Sequence, residues 1–147
     1  YADGSWNGGG ADYAEYFEWK DGNSSNEDRI GYSVSLVGNK IKIAESGETV
    51  IGVISGNPAV VGDTGWNKWH DKYQKDDYGR YLRNESGDKL VNTDYDDTKN
   101  YVTREARKEW DIVGLMGKLR IKKGQQTGTN WIKMRDISAS VEEWLVR

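Results

Sequence analysis

The 147-residue chain has no cysteine, one proline, one phenylalanine and a single histidine, His70. Each scarcity removes a class of chemistry. Without cysteine there is no disulfide, no thiolate zinc site and no Cys nucleophile, and the redox compartment cannot be read. One histidine cannot build a two-His metal site, and no metal is expected. No apolar run approaches the roughly 20 residues of a membrane-spanning helix. No basic stretch followed by an apolar core opens the chain, so a signal peptide is not expected either. The formal net charge of −3 gives no general attraction to nucleic acid or to anionic membranes, and neither is expected as a partner.

What the chain does have is rings, glycine and charge. Seven Trp, nine Tyr and 18 Gly accompany 31% charged residues. So many aromatics argue for a folded core or interface despite the charge. The length suits one domain that buries roughly two-thirds of its unfolded surface. Scarce Leu beside abundant Gly favours short strands joined by tight turns over a helical bundle. The expected fold is mainly β (α+β): short antiparallel strands and hairpins with one or two short helices in a single compact domain.

In "RIGYSVSLV", Ile30, Tyr32, Val34 and Leu36 alternate with small residues, the period of a strand. Gly38–Asn39 then predicts a two-residue hairpin turn into "KIKIA". "TVIGVISG" reads as a buried strand whose glycines admit close backbone approach, and "NPAVVGD" as an extended loop. Asp63 or Thr64 is placed to cap a short helix carrying Trp66, Trp69 and Tyr73 on one face. "YGRYLRNESGDKLVN" predicts a second hairpin turned at Ser86–Gly87. The stretch from Thr93 to Asp111 reads as a polar surface excursion. "IVGLMGKLRIKK" and "NWIKMRDI" read as paired strands around "GQQTGT", while "SASVEEWLVR" fits either strand or helix. No internal repeat and no interdomain linker is evident.

Several stretches invite chemistry and have plainer explanations. "KKGQQTGTN" combines glycine and lysine as an anion nest does, but lacks Walker spacing and matches ordinary turn composition. Asp94–Asp97 clusters oxygen ligands without EF-hand spacing, so a solvated acidic loop is expected. His70 has the right pKa for a general base, yet no nucleophile is placed beside it. The tryptophans are dispersed, which favours packing over sugar or base stacking.

The segment "GGGADYAEYFEW" sets three glycines against Asp12, Glu15 and Glu18. Asp12 and Glu15 share a face if the segment is helical and face opposite sides if it is a strand. Two carboxyls held close cannot both ionise fully; one then serves as acid and the other as base. Such a pair beside a pliable peptide could hydrolyse a bond in its own chain. On residue types alone, ordinary surface carboxylates are the simpler account.

The same residues carry a resemblance. "GADYAEYFEWKDGN", then "GETVIGVISGNPAVVGD", then "KEWDIVGLMGKL" resembles the C-terminal intramolecular-chaperone autoproteolytic domain of bacteriophage appendage and tail-spike proteins, the peptidase G2 family. The likeness runs in order from Gly10 to Arg147. It implies a domain at the end of a β-helical fibre protein that brings three chains into register and then cuts itself off. It implies an acidic pair as the catalyst, matched here by Asp12 and Glu15, with no cofactor required for the cut and nucleotide dependence left open. The implied partners are two further copies, giving a homotrimer, and the upstream fibre region of the same polypeptide. The implied setting is the host cytoplasm during phage assembly, with the released domain absent from the mature virion. Residues 1–11 are expected to be a flexible segment after the cleavage point and 12–147 the chaperone domain. The start at Tyr1 without Met is expected from release just before it, with Ala11–Asp12 as the other candidate bond. A backbone amide of the Gly8–Gly10 run is the candidate oxyanion donor.

Three rivals remain at this level. The domain could be a trimerisation or receptor-binding tip that is never cut. Self-cleavage could instead run through Ser5 after Gly4, or Asn7 before Gly8. Trp66 and Trp69 could belong to a carbohydrate-binding module.

Overall fold

A computed structural model of the chain describes residues 11–62 and 72–147. The expected helix at 63–73, with His70, Trp66 and Trp69, lies outside the described residues except for its last two positions. So do Ser5, Asn7 and the Gly8–Gly10 run. The architecture is mainly β, as the composition predicts: eight strands and a single 3-10 turn, Arg104–Ala106, among the described residues. These residues form two compact units, 11–62 with 107–147, and 72–106.

The first unit is one sheet. Its strands are β1 (Ala11–Glu18), β2 (Ser33–Val37), β3 (Lys40–Ile43), β4 (Val50–Ile54), β5 (Val60–Gly62), β6 (Trp110–Lys122), β7 (Ile132–Asp136) and β8 (Val141–Val146). The order is β3-β2-β4-β6-β1-β5, with β8 paired to the second half of β6 and β7 paired to β8. Thirteen-residue β6 is the spine, since β4, β1 and β8 all bond to it. Among the described strands only β1 and β5 pair parallel, and beyond them Trp19 makes an isolated parallel bridge to Ile41.

The predicted hairpin forms as read. Val37 pairs with Lys40 and Leu36 with Ile41, and Gly38 takes a left-handed φ of 63° that suits the turn. The close approach predicted for "TVIGVISG" is at Gly52, where a Cβ would collide with the Gly114 carbonyl on β6. "NPAVVGD" is not all loop: Val60–Gly62 forms β5 beside β1. The C-terminal segment, open between helix and strand, is strand β8. It also overturns one predicted pairing, because β8 sits between β6 and β7, which do not bond to each other. The turn after β7 is short, and Ile137 and Ser138 donate back to Val141, so the chain returns on itself before it meets β6.

Each face of this sheet carries a core. On one side Trp19, Val34, Ile41, Ile54 and Val113 pack with Phe17 and Leu115. On the other Val53, Leu119, Ile121, Trp131 and Val146 pack with Val50 and Trp144. Trp19, 1% exposed, fixes the end of β1. Its indole N–H donates to Asp111 Oδ2 at 3.1 Å, and the Arg29 guanidinium lies 4.4 Å from its ring centroid. Arg29 is itself buried and bridges Asp21 at 2.9 Å and Glu27 at 3.0 Å.

The second unit contains an internal repeat, contrary to the expectation of none; its first two segments share Tyr73/Tyr81, Lys75/Arg83, Asp76/Asn84 and Gly79/Gly87 at a spacing of eight. Residues 73–80, 81–88 and 89–96 form three successive eight-residue segments. Their second positions bond in a closed triangle: Gln74 N–H to Leu90 O, Leu90 N–H to Leu82 O, and Leu82 N–H to Gln74 O, at 2.8, 2.9 and 3.1 Å. Their fourth positions, Asp76, Asn84 and Asn92, start the turns, each accepting from the amide three residues on (Gly79, Gly87, Tyr95). Asp76 Oδ1 and Asn84 Oδ1 each also accept two backbone N–H groups within their turns. The predicted turn at Ser86–Gly87 is therefore real, bridged by Arg83 and Lys89, but it is one of three related corners.

Candidate functional site

The acids singled out by the sequence stand on β1, and strand geometry decides what they can do. Successive side chains on a strand point to opposite faces. Asp12 and Ala14 are buried on one face; Tyr13 and Glu15 are half-buried on the other. Asp12 and Glu15, three apart, therefore do not share a face within one chain. The helical alternative, which would have stacked them, does not form.

Each acid has its own surroundings. Asp12 is 6% exposed, and the Ser55 hydroxyl donates to its Oδ2 at 3.0 Å. Ser55 follows β4 and extends its ladder by donating its N–H to Ile112 O at 3.0 Å. Strand β6 lies between β4 and β1, and at Gly114 it carries no side chain. A Cβ there would come within 2.9 Å of Asp12 Oδ2 and would overlap the Leu119 side chain. The Asp12 carbonyl accepts from Ala59 N–H at 3.0 Å, which ties the β4–β5 connection to the start of β1. An irregularity in register between Tyr13 and Ala14 leaves Leu115 unmatched on β6 at this same place. Bulges of this kind re-aim side chains locally.

Glu15 is arranged in a parallel way on the opposite face. The Tyr13 hydroxyl donates to Glu15 Oε2 at 2.7 Å. Glu15 lies opposite Gly62 of β5, and a Cβ at Gly62 would overlap the Tyr13 hydroxyl. On β6, opposite Phe17 of β1, burial pushes Asp111 above the ordinary aspartate value, against the lowering effects of the Trp19 and Ile112 N–H groups.

The other candidates have ordinary settings. Asp96 accepts from the Thr98 amide at 2.9 Å and its hydroxyl, which is turn chemistry. No group of three or more acids or histidines among the described residues is arranged to hold a metal ion. The "KKGQQTGTN" turn serves packing: Gly128 leaves room for the Trp131 indole, and Gln125 accepts the Ser33 N–H. Among the described residues no helix is long and apolar enough to cross a membrane. Ser55, Tyr13, Gly62 and Gly114, which lie against the two acids, were not singled out by the sequence. Only the glycines inside apolar runs hinted at them.

Residues 1–144 match the family described as Peptidase_G2, IMC autoproteolytic cleavage domain. The chain belongs to the G2 peptidase family. Autoproteolytic cleavage is the activity by which the family is described. This G2 domain is 38% identical over 121 residues to the preneck appendage protein of Bacillus phage PZA, and 37% identical over 121 residues to the pre-neck appendage protein of Bacillus phage phi29. Each match covers 76% of this chain and 14% of the phage protein, so the chain spans about one-seventh of those relatives. A phage-related protein of Bacillus subtilis, YobO, is 34% identical over 116 residues. Among solved structures, the C-terminal fragment of phi29 gene product 12 is 31% identical with a TM-score of 0.72, covering 92% of this chain and all of that fragment. The pre-mature form of the same gene product is 30% identical with a TM-score of 0.79, covering 95% of this chain and 22% of that one.

Proposed function

We propose that this G2 domain is a self-cleaving intramolecular chaperone that promotes trimerisation of an upstream β-helical fibre region and is then released. Asp12 and Glu15 are the acid pair that makes the cut. The observation that carries this reading is the match of residues 1–144 to a family described by autoproteolytic cleavage; Asp12 and Glu15 stand on opposite faces of β1, each holding a hydroxyl donor. One chain in this fold does not bring them together, so pairing takes the Asp12 of one chain and the Glu15 of another, and Asp12, 6% exposed here, has to be uncovered as the chains assemble. Cutting then waits for assembly.

The chemistry follows from the pair. One carboxylate removes a proton from water as the oxygen attacks the scissile carbonyl carbon. The partner carboxyl protonates the leaving nitrogen as the C–N bond breaks. No cofactor is needed for these steps. Within the chain the candidate bond is Ala11–Asp12, the first peptide of β1. The chaperone role also has a physical basis. A trimeric β-helix must gather three chains before its long-range contacts repay the entropy lost, and an early-folding domain raises the local concentration of the strands. Release then leaves the fibre kinetically hard to unfold. Assembly in the host cytoplasm, with the freed domain left out of the virion, follows from this order of events.

The test is a precursor carrying the upstream fibre sequence. Asp12→Ala and Glu15→Ala should each leave it uncut by mass spectrometry. Co-expression of the two variants should restore partial cutting, because mixed trimers contain junctions with one intact Asp12 and one intact Glu15. Normal cutting in both single variants removes the pair from the mechanism, and no recovery in mixed trimers removes the interchain arrangement. The mass of the liberated fragment fixes the bond.

A further inference from the structure

Both acids are served in the same way, although they stand on different faces of the sheet. Asp12 has the Ser55 hydroxyl at 3.0 Å and lies in the gap left by Gly114. Glu15 has the Tyr13 hydroxyl at 2.7 Å, and that phenol lies in the gap left by Gly62. We propose that Ser55 and Tyr13 are positioning residues for the self-cleavage reaction, each holding one oxygen of a carboxylate, with Gly114 making room for the Asp12 carboxylate and Gly62 for the Tyr13 phenol. The proposal rests on the assignment of Asp12 and Glu15 as the cleaving pair.

A carboxylate rotates freely about its last bond unless one oxygen is held. A hydrogen bond to one oxygen fixes the plane of the group and leaves the direction of the other defined. For a reaction that needs two acids from two chains to meet at one peptide, that pre-set aim removes rotational freedom that would otherwise be lost in the transition state. The donors are suited to this. Both are neutral hydroxyls, which orient a carboxylate without neutralising it as a lysine or arginine would.

The glycines belong to the same device. Gly114 is on β6, between β4, which leads to Ser55, and β1, which carries Asp12. Any side chain there meets the carboxylate and Leu119. Gly62 is on β5, in register with Glu15, and any side chain there meets the phenol that holds Glu15. Neither glycine has a left-handed φ, so the backbone does not demand them. Space does.

The experiment uses the precursor with its upstream sequence and follows the rate at which the fragment appears. Tyr13→Phe keeps the ring and Ser55→Ala keeps the backbone, and each removes one hydroxyl. Each should slow cutting about ten- to a hundredfold, the range expected for a hydrogen bond to a charged group. Ser55→Thr, which keeps a hydroxyl, should recover most of the rate. Gly62→Ala should slow cutting along with Tyr13→Phe, and the double variant should be little slower than either alone, since both act through the same phenol. Thermal melting and trimer mass, measured on each variant, separate loss of aim from loss of fold. If Tyr13→Phe and Ser55→Ala cut at the parental rate while Asp12→Asn and Glu15→Gln do not, the positioning role is wrong and the acid pair stands. If Ser55→Thr is as slow as Ser55→Ala, the hydroxyl is not the active feature. If Asp12→Asn and Glu15→Gln themselves cut normally, the acid pair falls and this proposal with it.

Discussion

Trp19, Val34, Ile41, Val53 and Val113 in the sheet unit are each 1% exposed or less. In the unit formed by residues 72–106, no described hydrophobic side chain is buried, and Tyr78 is 86% exposed. That second unit is held by the triangle of backbone bonds through Gln74, Leu82 and Leu90 and by side-chain oxygens in its turns. Lysines over rings add to it: Lys89 Nζ is 4.1 Å from the Tyr81 ring centroid and 5.0 Å from that of Tyr73. Burial of apolar surface couples many residues at once, whereas turns and exposed cation–π contacts stabilise only their neighbours. The two regions should therefore open at different free energies.

The largest effect that could break this contrast is at Trp19. Trp19→Ala empties the centre of one core, strips Asp111 of a donor and removes the ring beneath Arg29. A loss of about 3–5 kcal/mol is expected from denaturant unfolding of the whole domain. A loss below about 1 kcal/mol would mean that burial is not what distinguishes the sheet unit.

How much of this was legible in the residues depends on distance along the chain. The Gly38–Asn39 hairpin was readable because the turn and both strands lie within eleven residues. The pairing of β7 was not, since nothing in "NWIKMRDI" says that Val141–Val146 will take the place beside β6. The repeat was partly legible and was missed: Tyr73/Tyr81, Lys75/Arg83, Asp76/Asn84 and Gly79/Gly87 recur eight residues apart, but the third segment keeps little of that pattern. Gln74, Leu82 and Leu90 occupy one position without sharing hydropathy, and Gly79 and Gly87 have Tyr95 as their third counterpart. At the candidate site, Asp12 and Glu15 were found through resemblance, and the strand then fixed their directions. Ser55, Gly62 and Gly114 could not be found locally. They meet the acids only through contacts across strands, with 43 residues separating Ser55 from Asp12.

A smaller effect sharpens the contrast through pH. Burial raises the Asp111 pKa in the folded state above the ordinary 3.8. The folded protein thus holds this proton more tightly, and the associated stability is present below 3.8 and lost as pH rises through the raised value. Asp21 runs the other way: the Arg29 hydrogen bond lowers it, so its contribution is present above 3.8 and lost as pH falls through the lowered value. Asp111→Asn keeps an acceptor for the Trp19 indole and removes the buried charge. It should raise stability at neutral pH, by less than Trp19→Ala lowers it, and flatten the decline above 3.8 in urea midpoints measured across pH. A variant less stable than the parent at pH 7 would mean that the charge itself is needed beside Trp19 and Arg29.

The smallest global effect is expected in the repeat. Asn84 Oδ1 accepts from Ser86 N–H at 2.9 Å and Asp88 N–H at 3.0 Å, and Asn84→Ala removes both bonds. The local cost should be about 1 kcal/mol. Asn84→Asp, the residue type that the first corner uses at Asp76, should cost less. If the two units open separately, amide exchange at Leu82 and Leu90 will quicken in Asn84→Ala, while protection at Val34 and Val113 and the main unfolding midpoint stay within experimental error. If instead exchange quickens at all four positions alike, the repeat and the sheet share one cooperative transition. The lack of buried apolar side chains in residues 72–106 would then have no bearing on how the domain comes apart, because the opening energy would be set by the sheet's two cores wherever the substitution is made.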